Sequence, residues 1–118
     1  MKAVLIITSS IDVTVDHIIK SHQNEAIFYR LNVDELSKYR IDVDEASQWT
    51  IACSNWKIEK SSVYSIYYRK PILPDLSKYE EDYHGMIAKD IISLINGIVD
   101  EFEGKVLTKP YIFKKNRK

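Results

Sequence analysis

Glycine is scarce in this 118-residue chain: there are three, at positions 85, 97 and 104, none near the first apolar run. The segment after that run, Thr8-Ser9-Ser10-Ile11, therefore supplies neither a dinucleotide fingerprint nor a P-loop, both of which need glycines there. A G-x-S-x-G nucleophile elbow is also absent. The single cysteine, Cys53, excludes an internal disulfide and favours a cytoplasmic setting. With no histidine or helix start nearby in sequence to lower its pKa, a buried structural thiol is expected. The histidines, His17, His22 and His84, are scattered, and no metal site is expected from their spacing. No apolar run approaches the ~18 residues of a membrane span. The opening Val4-Leu5-Ile6-Ile7 run is too short for a signal peptide and is soon followed by Asp12 and Asp16.

What is present is the composition of one ordinary globular domain, 45% hydrophobic and 29% charged. The net charge is zero but unevenly spread. Residues 105–118 hold six of the 17 positive charges and no acid, which leaves 11 against 17 acids, or −6, on residues 1–104. A basic tail on an acidic body can mark nucleic-acid or membrane contact. This one has no interleaved glycines, so nucleic acid is disfavoured as a partner, and it equally fits the opening of a further segment.

Lys2–Thr8 is a continuous apolar run rich in branched residues, which predicts a central strand covered on both faces. Asp12 or Thr14 can cap a helix to about Gln23, and Ala26–Leu31 is a second strand. That order is a β-α-β unit with parallel strands. Asn32 then opens a short acidic helical turn. Ile41–Val43 alternates with a strand's period, and Gln48–Ser54 with Trp56–Lys60 reads as a small antiparallel hairpin about Ser54-Asn55. Trp49 and Trp56 are expected to pack on the sheet. Val63–Lys70 is a strand stopped by Pro71, which has no N–H for a ladder. Apolar residues from Tyr83 to Phe102 recur at intervals of three and four, predicting one helix from about Tyr79 or Glu80 to Glu103. Gly97 within it suggests close packing, and Gly104 a left-handed cap. Lys105–Thr108 is a last short strand. The expected fold is α/β, a mainly parallel Rossmann-like sheet with flanking helices and a small antiparallel hairpin.

The stretch Ser65-Ile66-Tyr67-Tyr68-Arg69-Lys70-Pro71 carries the strongest functional signal. It sets two cations at the carboxyl end of a strand, where open α/β sheets form their ligand crevices. Arg69 there can grip a phosphate or carboxylate with two parallel hydrogen bonds, and Lys70 can act as a point charge. Solvated residues at a strand exit are the plain alternative, and in either case Arg69 is expected to add little to folding stability. No pair of side chains forms an acid and base at useful spacing, so no catalytic residue is assigned.

Three motifs then point to a family. They are Val4-Leu5-Ile6-Ile7-Thr8-Ser9-Ser10-Ile11-Asp12-Val13-Thr14-Val15-Asp16, Phe28-Tyr29-Arg30-Leu31-Asn32-Val33-Asp34 and Ile66-Tyr67-Tyr68-Arg69-Lys70-Pro71. Together with the order of elements they resemble the N-terminal, pre-ATP-grasp domain of ATP-grasp ribosomal peptide maturases, the graspetide or microviridin-type ligases. Lys70 stands where the family commonly has a second arginine. The resemblance implies a pre-ATP-grasp α/β domain over residues 1–110 and, over 111–118, the start of a junction to an ATP-grasp module that this sequence does not contain.

It further implies that the full-length protein uses ATP and magnesium to cross-link a ribosomal precursor peptide through an ester or amide. This fragment alone would be non-catalytic and without a cofactor. It would contribute Arg69, Lys70, Ser9 and Ser10 as substrate- or phosphate-binding candidates. The rival reading is a free-standing α/β binding or regulatory module, homodimeric through its exposed aromatics, with no ligase attached.

Overall fold

The computed structural model describes residues 1–69 and 71–107. Lys70, Thr108 at the expected end of the last strand, and the 111–118 junction lie outside the described residues. Strand β1 (Lys2–Thr8) is central in a parallel sheet, between β2 (Ala26–Asn32) and β6 (Ser65–Tyr68), with β7 (Lys105–Leu107) beyond β6. The apolar run explains the position: Leu5, Ile6 and Ile7 are fully buried on alternate faces of the strand. Pairing aligns Lys2–Thr8 with Ala26–Asn32 throughout, so the carboxyl ends of β1 and β2 finish level. Helix α1 (Val13–His22) makes the connection, capped by Asp12.

The middle of the chain builds a second, three-stranded antiparallel sheet, β3 (Arg40–Val43), β4 (Trp49–Ala52) and β5 (Lys57–Glu59). The expected hairpin is its β4–β5 half, closed by a bond from the Cys53 N–H to the Trp56 carbonyl (2.9 Å). Asp44 shapes the β3–β4 loop by accepting from the N–H groups of Ala46 (2.8 Å) and Gln48 (3.0 Å). Trp49 and Ile51 point inward and join Leu5, Ile7, Leu31 and Ile66 in one core. Trp56 packs edge-on to Tyr29, with ring centres 5.3 Å apart.

Helix α2 (Glu81–Asp100) closes that core with Ile95 and Ile98, while Ile91, Val99 and Phe102 pack alongside. Glu81 and Asp82 in its first turn complement the positive end of the helix dipole. Two glycine expectations are corrected. A Cβ at Gly97 would meet nothing within 4 Å, so no close packing requires the glycine. Gly104 has no positive φ and is not a left-handed cap. Its reason is crowding: a Cβ there would lie 2.6 Å from the Phe102 ring and 3.0 Å from the Tyr64 carbonyl oxygen. Among the described residues no helix is long and apolar enough to cross a membrane.

Candidate functional site

Connectivity sets the place of the site. From β1 the chain steps outward to β2, then returns through the small sheet to β6 on the other side of β1. The strand order therefore reverses between β1 and β6, and ligand crevices in such sheets open at the carboxyl ends beside that reversal. The residues found there are the β1–α1 turn, Ser9–Asp12, and Arg69, one residue past β6.

Asp12 is the hub. Extended backbone there (φ −78°, ψ 92°) lets its carboxylate accept the Val15 N–H at 3.3 Å and cap α1. Thr8 donates its hydroxyl to Asp12 Oδ2 at 2.7 Å. Arg69 reaches the same carboxylate with Nε to Oδ2 at 2.7 Å and Nη2 to Oδ1 at 3.4 Å, while Nη1 donates to the Tyr67 hydroxyl at 3.1 Å. The ion pair is largely shielded, its side chains 13% and 14% exposed. Burial pushes the Asp12 carboxyl up, but hydrogen bonds from Arg69, Thr8 and Val15 outweigh it and bring the pKa down to about 2. Hydrogen bonding to Asp12 raises that of Arg69.

The second motif grips the turn from the other side. Arg30 on β2 donates Nη2 to the carbonyl oxygens of Ser9 (2.7 Å) and Asp12 (3.3 Å), Nε to Asn32 (2.8 Å), and Nη1 to the Asp16 carboxylate. Asp34 accepts the Ser10 N–H at 2.8 Å and the Ser10 hydroxyl at 2.5 Å. Tyr39 fixes the end of β2 by donating to the Arg30 carbonyl (3.0 Å) and accepting from the Asn32 N–H (3.1 Å).

The three motifs thus interlock at one end of the sheet. Of the candidate residues, Arg69, Ser9 and Ser10 all lie at this end of the sheet, and Lys70 lies outside the described residues. Arg69 is not an exposed strand-end cation. Asp12 holds its guanidinium, so the expectation of little contribution to stability is replaced by that of a shielded pair. Sequence reasoning saw Asp12 only as a cap and gave no role to Arg30 or Asp34. All three lie inside the quoted motifs, which was the available signal. An apolar cavity of about 350 Å³ is lined by Val33, Tyr68, Leu73, Ile91 and Ile95, of which Val33 and Tyr68 adjoin network residues in sequence.

No protein-family model and no curated protein matches this sequence. Solved structures do. The macrocyclase MdnC from Microcystis aeruginosa MRC, bound with precursor peptide MdnA, superimposes with a TM-score of 0.81 over 96% of this chain at 18% identity. Macrocyclase MdnB from the same organism gives 0.78 over 98% at 18% identity. The Chryseobacterium gregarium RiPP-associated ATP-grasp ligase, in complex with ADP and a leader and core peptide, gives 0.75 over 98% at 19% identity. The chain has the fold of a part of these proteins. It spans about two-fifths of their length: 39%, 40% and 37% respectively.

Proposed function

We propose that this chain is the N-terminal, pre-ATP-grasp domain of a cytoplasmic ATP-dependent ligase that cross-links a ribosomal precursor peptide. One observation carries the reading: nearly the whole chain superimposes on part of peptide macrocyclases and a RiPP-associated ATP-grasp ligase. In two of those structures a peptide is bound, which supports a precursor peptide as the partner.

In such a ligase ATP activates a peptide carboxylate as an acyl phosphate, and a hydroxyl or amine of the same peptide displaces phosphate to leave an ester or amide. Among the described residues the donor set does not fit ATP or magnesium. The β1–α1 turn has no glycine cradle, and among the described residues no cluster of acids, histidines or cysteines could hold a metal. We assign those groups to the rest of the ligase. Its role is to form the substrate-side wall of the shared cleft.

Within that wall the guanidinium of Arg69, which has five N–H groups, retains donors beyond those to Asp12 and Tyr67 for a substrate carboxylate or phosphate. Lys70, the next residue in sequence, and Ser9 and Ser10 in the β1–α1 turn are the other candidates.

Calorimetric titration with Mg-ATP tests the division of labour. The 118-residue chain is expected to show no micromolar binding, which would need roughly −8 kcal/mol. The longer polypeptide that contains it should bind. Micromolar binding by the 118-residue chain alone contradicts the proposal, and a reading frame that stops at Lys118 favours a free-standing module instead.

A further inference from the structure

The β1–α1 turn presents two aliphatic side chains to solvent. Ile11, at the tip of the turn, is 70% exposed, and Val13, the first residue of α1, is 73% exposed. Both depart from local preference. Turn tips favour Gly, Asn, Asp and Ser, and β-branched residues are among the weaker helix formers. Isolated exposed aliphatics are ordinary on a protein surface. These two, however, sit in a tethered turn: Asp34 holds the Ser10 N–H, Arg30 holds the carbonyls of Ser9 and Asp12, and Arg69 holds the Asp12 side chain. A fixed backbone that displays apolar side chains is a pre-organised anchor, because its ordering cost is already met when the domain folds.

We propose that Ile11 and Val13 are the anchor residues of an interface with the polypeptide that follows this domain, each entering an apolar recess there. The inference rests on the ligase reading above and names the surface through which this domain joins the rest. Two observations select that occupant over a second copy or a free peptide. Strands β1, β6 and β7 are parallel, so Leu107, the last residue of β7, lies toward the sheet end that carries the turn. Solved structures with this fold extend well beyond it, since this chain covers only 37–40% of them. Leu107, itself 42% exposed, adds apolar surface toward that end.

Hydroxyl-radical footprinting of the 118-residue chain and of the longer polypeptide tests this. Ile11 and Val13 should label readily in the former and be protected roughly fivefold or more in the latter, as for side chains entering an interface core. Ile27, 42% exposed near the amino end of β2, is the control and should label equally in both. The Ile11→Ser/Val13→Ser variant should melt with the parent in the 118-residue chain and below it in the longer one. Equal labelling of Ile11 and Val13 in the two, or concentration-dependent protection in the 118-residue chain alone, overturns the proposal. Protection in a longer polypeptide that lacks ligase activity leaves the interface standing and removes the ligase reading.

Discussion

Asp12→Ala is expected to lower the melting temperature of the 118-residue chain by roughly 10–15 °C, corresponding to a loss of about 3 kcal/mol. Three effects coincide. The variant removes the α1 cap, takes the acceptor from the Thr8 hydroxyl, and leaves the Arg69 guanidinium shielded without its counter-charge. Arg69→Ala should also destabilise, and the double variant should be more stable than the sum of the two losses predicts, because neither partner is then left alone.

The same pair sets a pH dependence. Asp12 titrates near 2 in the folded chain against an ordinary value of 3.8. The unfolded chain therefore binds the proton first as pH falls, and the stabilisation, about 2 kcal/mol, is complete above about pH 5 and lost as pH drops toward 2. Urea denaturation at several pH values should show that loss in the parent and a smaller one in Asp12→Ala. Equal acid sensitivity in both would remove Asp12 as its source.

In the longer polypeptide, Arg69→Ala is expected to cut turnover per folded molecule about a hundredfold, the ~3 kcal/mol that a charge aimed at a transferring carboxylate or phosphate supplies to a transition state. The comparison is made well below the melting temperature, with the folded fraction measured, because the variant is also less stable. Arg69→Lys should rescue little, since an ammonium cannot reproduce the two-pronged contact with Asp12. Unchanged turnover per folded molecule, alongside the stability loss, would make Arg69 purely structural. Asp12→Ala separates two ways for Arg69 to act. If Arg69 works by holding the turn, Asp12→Ala lowers turnover as far as Arg69→Ala does. If it works by touching substrate, Asp12→Ala is the milder change.

The sequence was most informative where a signal is local. The unbroken Val4–Ile7 run marked a strand buried on both faces, and the three- and four-residue spacing from Tyr83 to Phe102 marked α2, within a few residues at each end. Pro71 placed the end of β6 within two residues of Tyr68. Pairing was less legible. Ile41–Val43 read as a strand, but its partnership with Trp49–Ile51 depends on both fitting the same sheet, which neither segment states alone.

Gly97 and Gly104 were misread for a related reason. A glycine reports freedom from a Cβ, not whether that freedom serves a φ angle, a close neighbour or nothing in the domain itself. The candidate site shows the same limit. Arg69 and Asp12 lie 57 residues apart, and no local pattern in either segment reveals that they meet. Their motifs mattered, but a motif names residues and leaves their partners to the fold.

The most direct measurement of the central claim is mass spectrometry of a candidate precursor peptide, one shown to bind the longer polypeptide, after treatment with that polypeptide and Mg-ATP. The expected result is loss of one water per cross-link, with one ADP and one phosphate released for each and none without peptide. An unchanged peptide mass with an active, folded protein and a peptide that binds it would contradict the account.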